Sequence, residues 1–181
     1  GAFAAAAPRL WNSYRDTVDR VYKELPHLPR NFPQSVFPAA AFNLGPDVTC
    51  RAHLDGRNLS YGQCAITALG SYDHTKGGHL YLWELGLIIQ FPPGSTILVP
   101  SACVTHGNTP IQPGERRASF TQYCAGPLFQ WVSYGCRTGT QLHPAAKRAS
   151  DAAGAARWLE GLALYSQVHE LYDDLCTASH S

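Results

Sequence analysis

The sequence predicts a mainly β chain with flanking helices, and three observations carry that expectation. Between about residues 40 and 135, Gly and Pro punctuate short runs rich in Val, Ile, Leu, Tyr and Thr. These runs recur at the close spacing of a sandwich, barrel or jelly roll. The segments on either side change texture, with helical spacing in residues 8–25 and Ala and Leu enrichment in residues 144–177.

Residues 8–25, PRLWNSYRDTVDRVYKEL, place Leu10, Tyr14, Val18 and Val21 or Tyr22 along one helical face. Pro8 suits the first turn of that helix. Pro26, Pro29, Pro33 and Pro38 then break regular structure. Strands are expected at 48–54, 63–70, 79–84, 86–91, 96–100, 102–107, 117–124 and 128–134. The stretch LGLIIQFPPGSTILVPS reads as two strands joined by a Pro-Pro-Gly turn. Residues 144–177 read as one or two helices capped by Ser150 or Asp151. The expected organisation is an N-terminal helix and Pro-rich connector (1–39) packing on a β core (40–140), then a C-terminal helical segment (141–181), most simply one domain.

Apolar residues make up 45% of the 181-residue chain, enough for a sizeable core. Charged residues are only 15% and the net charge is +1, so composition requires no broad basic face. That argues against charge-dominated, non-specific nucleic-acid binding. The six cysteines form no C-x-x-C pair, which removes the main signature of zinc ribbons and thioredoxin-like sites. They read as mostly buried free thiols of a nuclear or cytoplasmic protein that is not secreted. The chain shows no secretory apolar region and no run of membrane-spanning length. It contains no Met, even at position 1, which reads as a processed or excised chain with GAFAAAAP partly a remnant.

The stretch RAHLDGRNLSYGQ places His53 and Asp55 two apart. In an extended strand such residues point the same way, so an imidazole and a carboxylate can meet at one point. Alone, the pair reads more readily as an exposed strand end. His106 in SACVTHGNTPI supplies a third ligand, although a strand-end histidine bonded to a backbone carbonyl is its plainer reading. Two histidines and a carboxylate form the facial set that holds non-haem Fe(II) and leaves positions open for co-substrate and dioxygen. The helical H-E-x-x-H of hydrolytic zinc sites is missing from this sequence.

Further on, GERRASFTQY opens a strand with Arg116 and Arg117. Only one of them can face inward. Arg117 shares its face with Ser119 and Thr121; Arg116 shares its face with Ala118 and Phe120. An inward guanidinium calls for an anion, and a carboxylate pairs with it in bidentate fashion. The R-x-S pairing favours Arg117, whereas apolar patterning alone would turn Phe120 inward. Two arginines on a solvated strand edge are the plain alternative.

With these residues in view, the chain resembles the iron- and 2-oxoglutarate-dependent dioxygenases, in the order H-x-D, distal His, Arg. More narrowly it resembles the fungal branch of the TET/JBP oxygenases, many of them transposon-associated. The phrases that carry this are NLGP at 43–46, AHLDGRNLSYGQCAITALGSYDHTKGGHLYLWELGLIIQFPPGSTILVPSA and THGNTPIQPGERRASFTQYCAGPLFQWV, covering about residues 40–134. The resemblance implies a double-stranded β-helix of the cupin-like jelly-roll kind. It implies Fe(II) on His53, Asp55 and His106, and 2-oxoglutarate clamped by Arg117 with Ser119. The implied reaction is dioxygen-dependent oxidation of a methyl group on a nucleic-acid base, foremost 5-methylcytosine in DNA, within the nucleus.

A base must leave the duplex to reach such a pocket. Candidate substrate contacts are Asn43, Arg57, Asn58, Tyr72, Lys76 and Trp83. Core packing is the stronger reading of Trp83, and a solvated turn that of Lys76. Arg137, Lys147 and Arg148 read as a solvated face before they read as phosphate contacts. Other readings remain open: an N-methyl base demethylase, a prolyl-hydroxylase-like protein oxygenase, a non-catalytic DNA- or protein-binding module, and a cupin-like protein with another metal.

Overall fold

The computed structural model describes residues 1–178. The chain divides into two compact units, Ala39–Ala125 and a helical unit formed by Gly1–Pro38 with the chain from Gly126 onward.

The β unit contains β1 (Ala39–Asn43), β2 (Cys64–Ser71), β3 (Leu80–Leu82), β4 (Leu87–Ile89), β5 (Thr96–Val99), β6 (His106–Asn108) and β7 (Arg116–Tyr123). One sheet runs β1-β7-β2-β5 and the other β4-β3-β6, all pairs antiparallel. An antiparallel bridge between His53 and His106 adds a further segment beside β6. Along the chain the strands therefore alternate between sheets: β1 in the first, His53 in the second, β2 in the first, β3 and β4 in the second, then β5, β6 and β7 by turns. That connectivity is a double-stranded β-helix, the jelly-roll form of a closed two-sheet core.

Apolar side chains from both sheets fill the interior, among them Ile66, Ala68, Leu80, Leu82, Phe91 and Val99. The period of two along β7 buries Arg117 and Ser119 and leaves Arg116 exposed. Phe120 does not turn inward as its hydrophobicity would suggest. It packs on Phe42, its register partner on β1, with ring centroids 5.0 Å apart. Gly70 on β2 lies opposite Arg117 and has φ of +119°. A Cβ there would fall 2.2 Å from the Arg116 carbonyl oxygen, so a side chain would force β2 away from β7.

All six cysteines are free; Cys64 and Cys124 are buried, while Cys103 and Cys176 are exposed. Burial pushes the Cys64 thiol up to about 11 and the Cys124 thiol up to about 12. In the native protein at pH 8, a chromogenic disulfide reagent is thus expected to label Cys103 and Cys176 quickly. Cys64 and Cys124 should react only after unfolding, as peptide mapping of the labelled sites would show.

The helical unit holds α1 (Ala2–Ala6), α2 (Pro8–Glu24), α3 (Gly126–Ser133), α4 (Pro144–Ala152), α5 (Gly154–Leu162) and α6 (Leu171–Ala178). Helix α2 begins on Pro8 and buries Leu10, Tyr14, Val18 and Val21, as its spacing predicts. Tyr14 meets the rings of Phe3, Phe37 and Phe129 at centroid distances of 5.3, 5.7 and 5.2 Å. Arg9 joins α2 to the C-terminal segment through Glu170 at 2.6 Å and Asp174 at 3.1 Å. None of the described helices is long and apolar enough to cross a membrane.

Several expected elements are revised. Residues 128–134 form most of α3, not a strand: Pro127 suits a helix start, and Leu128, Trp131 and Val132 follow helical spacing. Residues 48–54 make only one isolated bridge, at His53, with another at Asp47 just before them. Of 102–107, only the end is strand, because Cys103 and Val104 both donate to the Pro100 carbonyl in a turn. The Ala-rich β1 is a strand through pairing with β7 rather than through its own propensity. The C-terminal segment starts its first helix at Pro144, capped by His143 rather than by Ser150 or Asp151. The last three residues of that segment lie outside the described residues.

Candidate active site

His53 and His106 are held opposite each other by the backbone. Each donates its N–H to the other's carbonyl at 3.0 Å, which sets both side chains on one face. Their ring centroids are 4.4 Å apart. The Nδ1 of His53 contacts the Arg51 carbonyl at 2.8 Å, and the Nδ1 of His106 contacts the Val104 carbonyl at 3.0 Å. A carbonyl can only accept, so in the neutral imidazole each Nδ1 carries the proton and each Nε2 presents a lone pair.

Asp55 completes the cluster from a turn instead of from a continued strand. Its N–H donates to the Ser101 carbonyl at 2.9 Å, and the Asn58 N–H donates back to the Asp55 carbonyl at 2.8 Å. The carboxylate lies 3.6 Å from His53 Nε2 and 3.9 Å from His106 Nε2, too long for hydrogen bonds. The three potential ligand atoms all lie within 4.8 Å of one another. His106 is almost fully buried while His53 and Asp55 are partly exposed, so the cluster has one closed and one open side. Lone pairs converging without a donor between them repel one another; a divalent cation at their focus would turn that repulsion into binding. The donor set thus fits a borderline transition-metal ion.

The cluster lines a cavity of about 490 Å³ in the β unit, within the usual range for a small-molecule site. Arg117, Ser119, Thr121 and Tyr123 project into it from alternate positions of β7. Arg117 is 2% exposed. Its Nη1 donates to the Val48 carbonyl at 3.1 Å, but its buried Nε has no hydrogen-bond partner among the described residues. Among the described residues no carboxylate lies at ion-pair distance from this guanidinium. A buried cation whose described partners, the Val48 carbonyl and Tyr72, are both neutral, and which keeps an orphaned donor, is suited to receive an anion. Ser119 is also buried, and its Oγ accepts from Asn43 Nδ2 at 3.0 Å. That bond leaves the hydroxyl proton of Ser119 free to be donated elsewhere.

The other residues singled out from the sequence divide. Asn43, Arg57 and Asn58 line the cavity, Arg57 on its exposed side. Tyr72 does not line it. The Tyr72 ring is buried with the Arg117 guanidinium 6.0 Å from its centroid, and its hydroxyl donates to the Phe91 carbonyl. Burial raises the Tyr72 phenol above its ordinary range, and the Arg117 charge partly offsets this. Tyr72 is therefore unavailable for stacking on a base. Trp83 lies in the turn after β3 and is 73% exposed, so it neither packs in the core nor reaches the cavity. Lys76 pairs with Asp73 at 3.0 Å in an exposed turn. Lys147 pairs with Asp151 at 2.7 Å on α4.

Two further residues serve the site that the sequence motifs do not single out. Buried Asn108 donates to the Val48 carbonyl at 3.2 Å and accepts from the Cys50 N–H at 2.9 Å. It therefore steadies the oxygen that Arg117 also contacts. Ser101, 1% exposed, meets both Asp55 and Asn58. The spacing H-G-N at 106–108 does put Asn108 on the face of His106, which is the one signal that could have found it.

No family model and no curated protein matches the chain. Among solved structures, NgTET1 in complex with 5mC DNA aligns at 14% identity and a TM-score of 0.45. That match covers 66% of this chain and 50% of that one, so the chain spans half the length of that structure. The viral collagen prolyl hydroxylase vCPH from Paramecium bursaria Chlorella virus-1 aligns as its 2OG complex at 15% identity and a TM-score of 0.34, covering 60% of this chain and 70% of that one. Its truncated form aligns at 13% identity and a TM-score of 0.33, covering 62% and 67%.

Proposed function

We propose that this chain is an Fe(II)- and 2-oxoglutarate-dependent dioxygenase acting on a methylated nucleic-acid base, with 5-methylcytosine in DNA as the first candidate. One observation carries the reading: three converging metal-ligand atoms and a buried, unneutralised arginine line the same cavity. The narrower affiliation with TET/JBP-like enzymes rests on the sequence phrases between Asn43 and Val132.

On this reading His53, Asp55 and His106 hold the iron. When bound, iron supplies the redox chemistry that couples decarboxylation of 2-oxoglutarate to succinate with insertion of oxygen into a substrate C–H bond. The protein's own residues bind and aim. Arg117 receives the far carboxylate of 2-oxoglutarate, and Ser119 donates its free hydroxyl proton to the same group. Asn43, by occupying Ser119 Oγ as an acceptor, orients that hydroxyl. The apolar walls from Ala41, Ile66 and Leu80 limit water around the co-substrate. The target base enters from the open side by flipping out of its helix, where Arg57 can meet a phosphate or a base edge.

A protein substrate is the second reading. It is favoured by the net charge of +1 and by a cavity lining in which Arg57 is the exposed cation among the described residues. Incubation with Fe(II), 2-oxoglutarate and a 5-methylcytosine duplex should yield 5-hydroxymethylcytosine by mass spectrometry, with succinate released alongside. Succinate formed with proline-rich peptides but with no methylated DNA or RNA would overturn the base-oxidising reading.

A further inference from the structure

The side-chain amide of Asn58 donates to Asp55 Oδ2 at 3.1 Å and to Ser101 Oγ at 3.0 Å. Both amide hydrogens are thereby committed, one to the carboxylate of the cluster and one to a buried hydroxyl. Ser101 in turn lies in the turn that leads directly into His106, and its carbonyl accepts the Asp55 N–H. Asp55 is thus fastened at two points, backbone and carboxylate, to the segment that delivers the second histidine. The side chain of Asp55 is only 30% exposed. Without the amide, its carboxylate would be free to rotate toward solvent on the open side of the cluster.

We infer that Asn58 is a positioning residue for the metal ligand Asp55 through its two amide hydrogens. The inference rests on the metal-centre reading above. Asn58 fixes the plane of the carboxylate before any ion arrives, and Ser101 fixes Asn58. Ligand orientation by such outer partners typically accounts for about 10- to 100-fold in metal affinity.

The test is titration of the purified chain with Co(II), followed through the visible ligand-field bands, beside thermal unfolding of the metal-free protein. Asn58→Ala is expected to weaken Co(II) binding by roughly 10- to 100-fold and to change the band pattern. Its metal-free melting temperature should stay close to the wild-type value. Ser101→Ala, which leaves Asn58 in place but unanchored, should weaken binding in the same direction by a smaller factor. Co(II) affinity and bands unchanged in the folded fraction of Asn58→Ala would overturn the inference, whatever happens to its melting temperature. A wild-type chain that binds no Co(II) would instead overturn the metal-centre reading itself.

Discussion

Replacing Arg117 with Met is expected to make the ligand-free protein more stable while removing its affinity for 2-oxoglutarate. The two effects have one cause. The guanidinium is 2% exposed, and among the described residues its partners are the neutral Val48 carbonyl and Tyr72, while its Nε has no hydrogen-bond partner. Its desolvation is poorly offset, so a Met of similar length should be neutral or stabilising, by on the order of 1 kcal/mol or more. The Val48 carbonyl would not be orphaned, because Asn108 also donates to it. Binding of the co-substrate loses its charge-assisted partner, which costs about 2–5 kcal/mol, or roughly 30-fold to several thousand-fold in affinity. Thermal melts without ligand, and calorimetric titration of 2-oxoglutarate with Mn(II) present, measure the two sides. Wild-type affinity in the variant would sink the clamp.

Asp55→Ala should be the more damaging change to turnover and a mild one to the fold. The carboxylate is partly exposed, and its side-chain hydrogen bond runs to Asn58 alone among the described partners. Loss of a direct ligand should exceed the roughly 10- to 100-fold effect of losing an outer partner, leaving no measurable Co(II) binding at micromolar metal. Succinate production should vanish with it. This variant also separates an enzyme from a binding module: any affinity for methylated DNA, measured by fluorescence anisotropy, should survive in a module. Retained turnover in Asp55→Ala would remove the metal centre from the mechanism.

The parts of this protein that were legible in the sequence are those set by local periodicity. The buried face of α2 follows from Leu10, Tyr14, Val18 and Val21. The choice between Arg116 and Arg117 follows from the period of β7 once Ser119 is taken as an inward residue. The convergence of His53, Asp55 and His106 was readable from residue type and order, but by an inexact route. An unbroken strand would have aligned His53 with Asp55, whereas a bridge holds the one and a turn holds the other. What stayed hidden depends on long-range backbone pairing. Asn58 stands out in the sequence because it follows H-x-D, but only the fold shows its amide hydrogens on Asp55 and on Ser101, far along the chain. Tyr72 read as a stacking surface because it is aromatic, and only the fold shows it walled in beside Arg117. Residues 128–134 carried both an apolar run and helical spacing, and length alone did not decide between them.

The exchange of backbone hydrogen bonds between His53 and His106 ties the geometry of the centre to strand register. Side chains reverse direction at every step along an extended segment, so a slip of one residue would carry an imidazole to the far side of the sheet. A slip of the His53–His106 pairing itself would therefore not loosen the site by degrees but remove one imidazole from it.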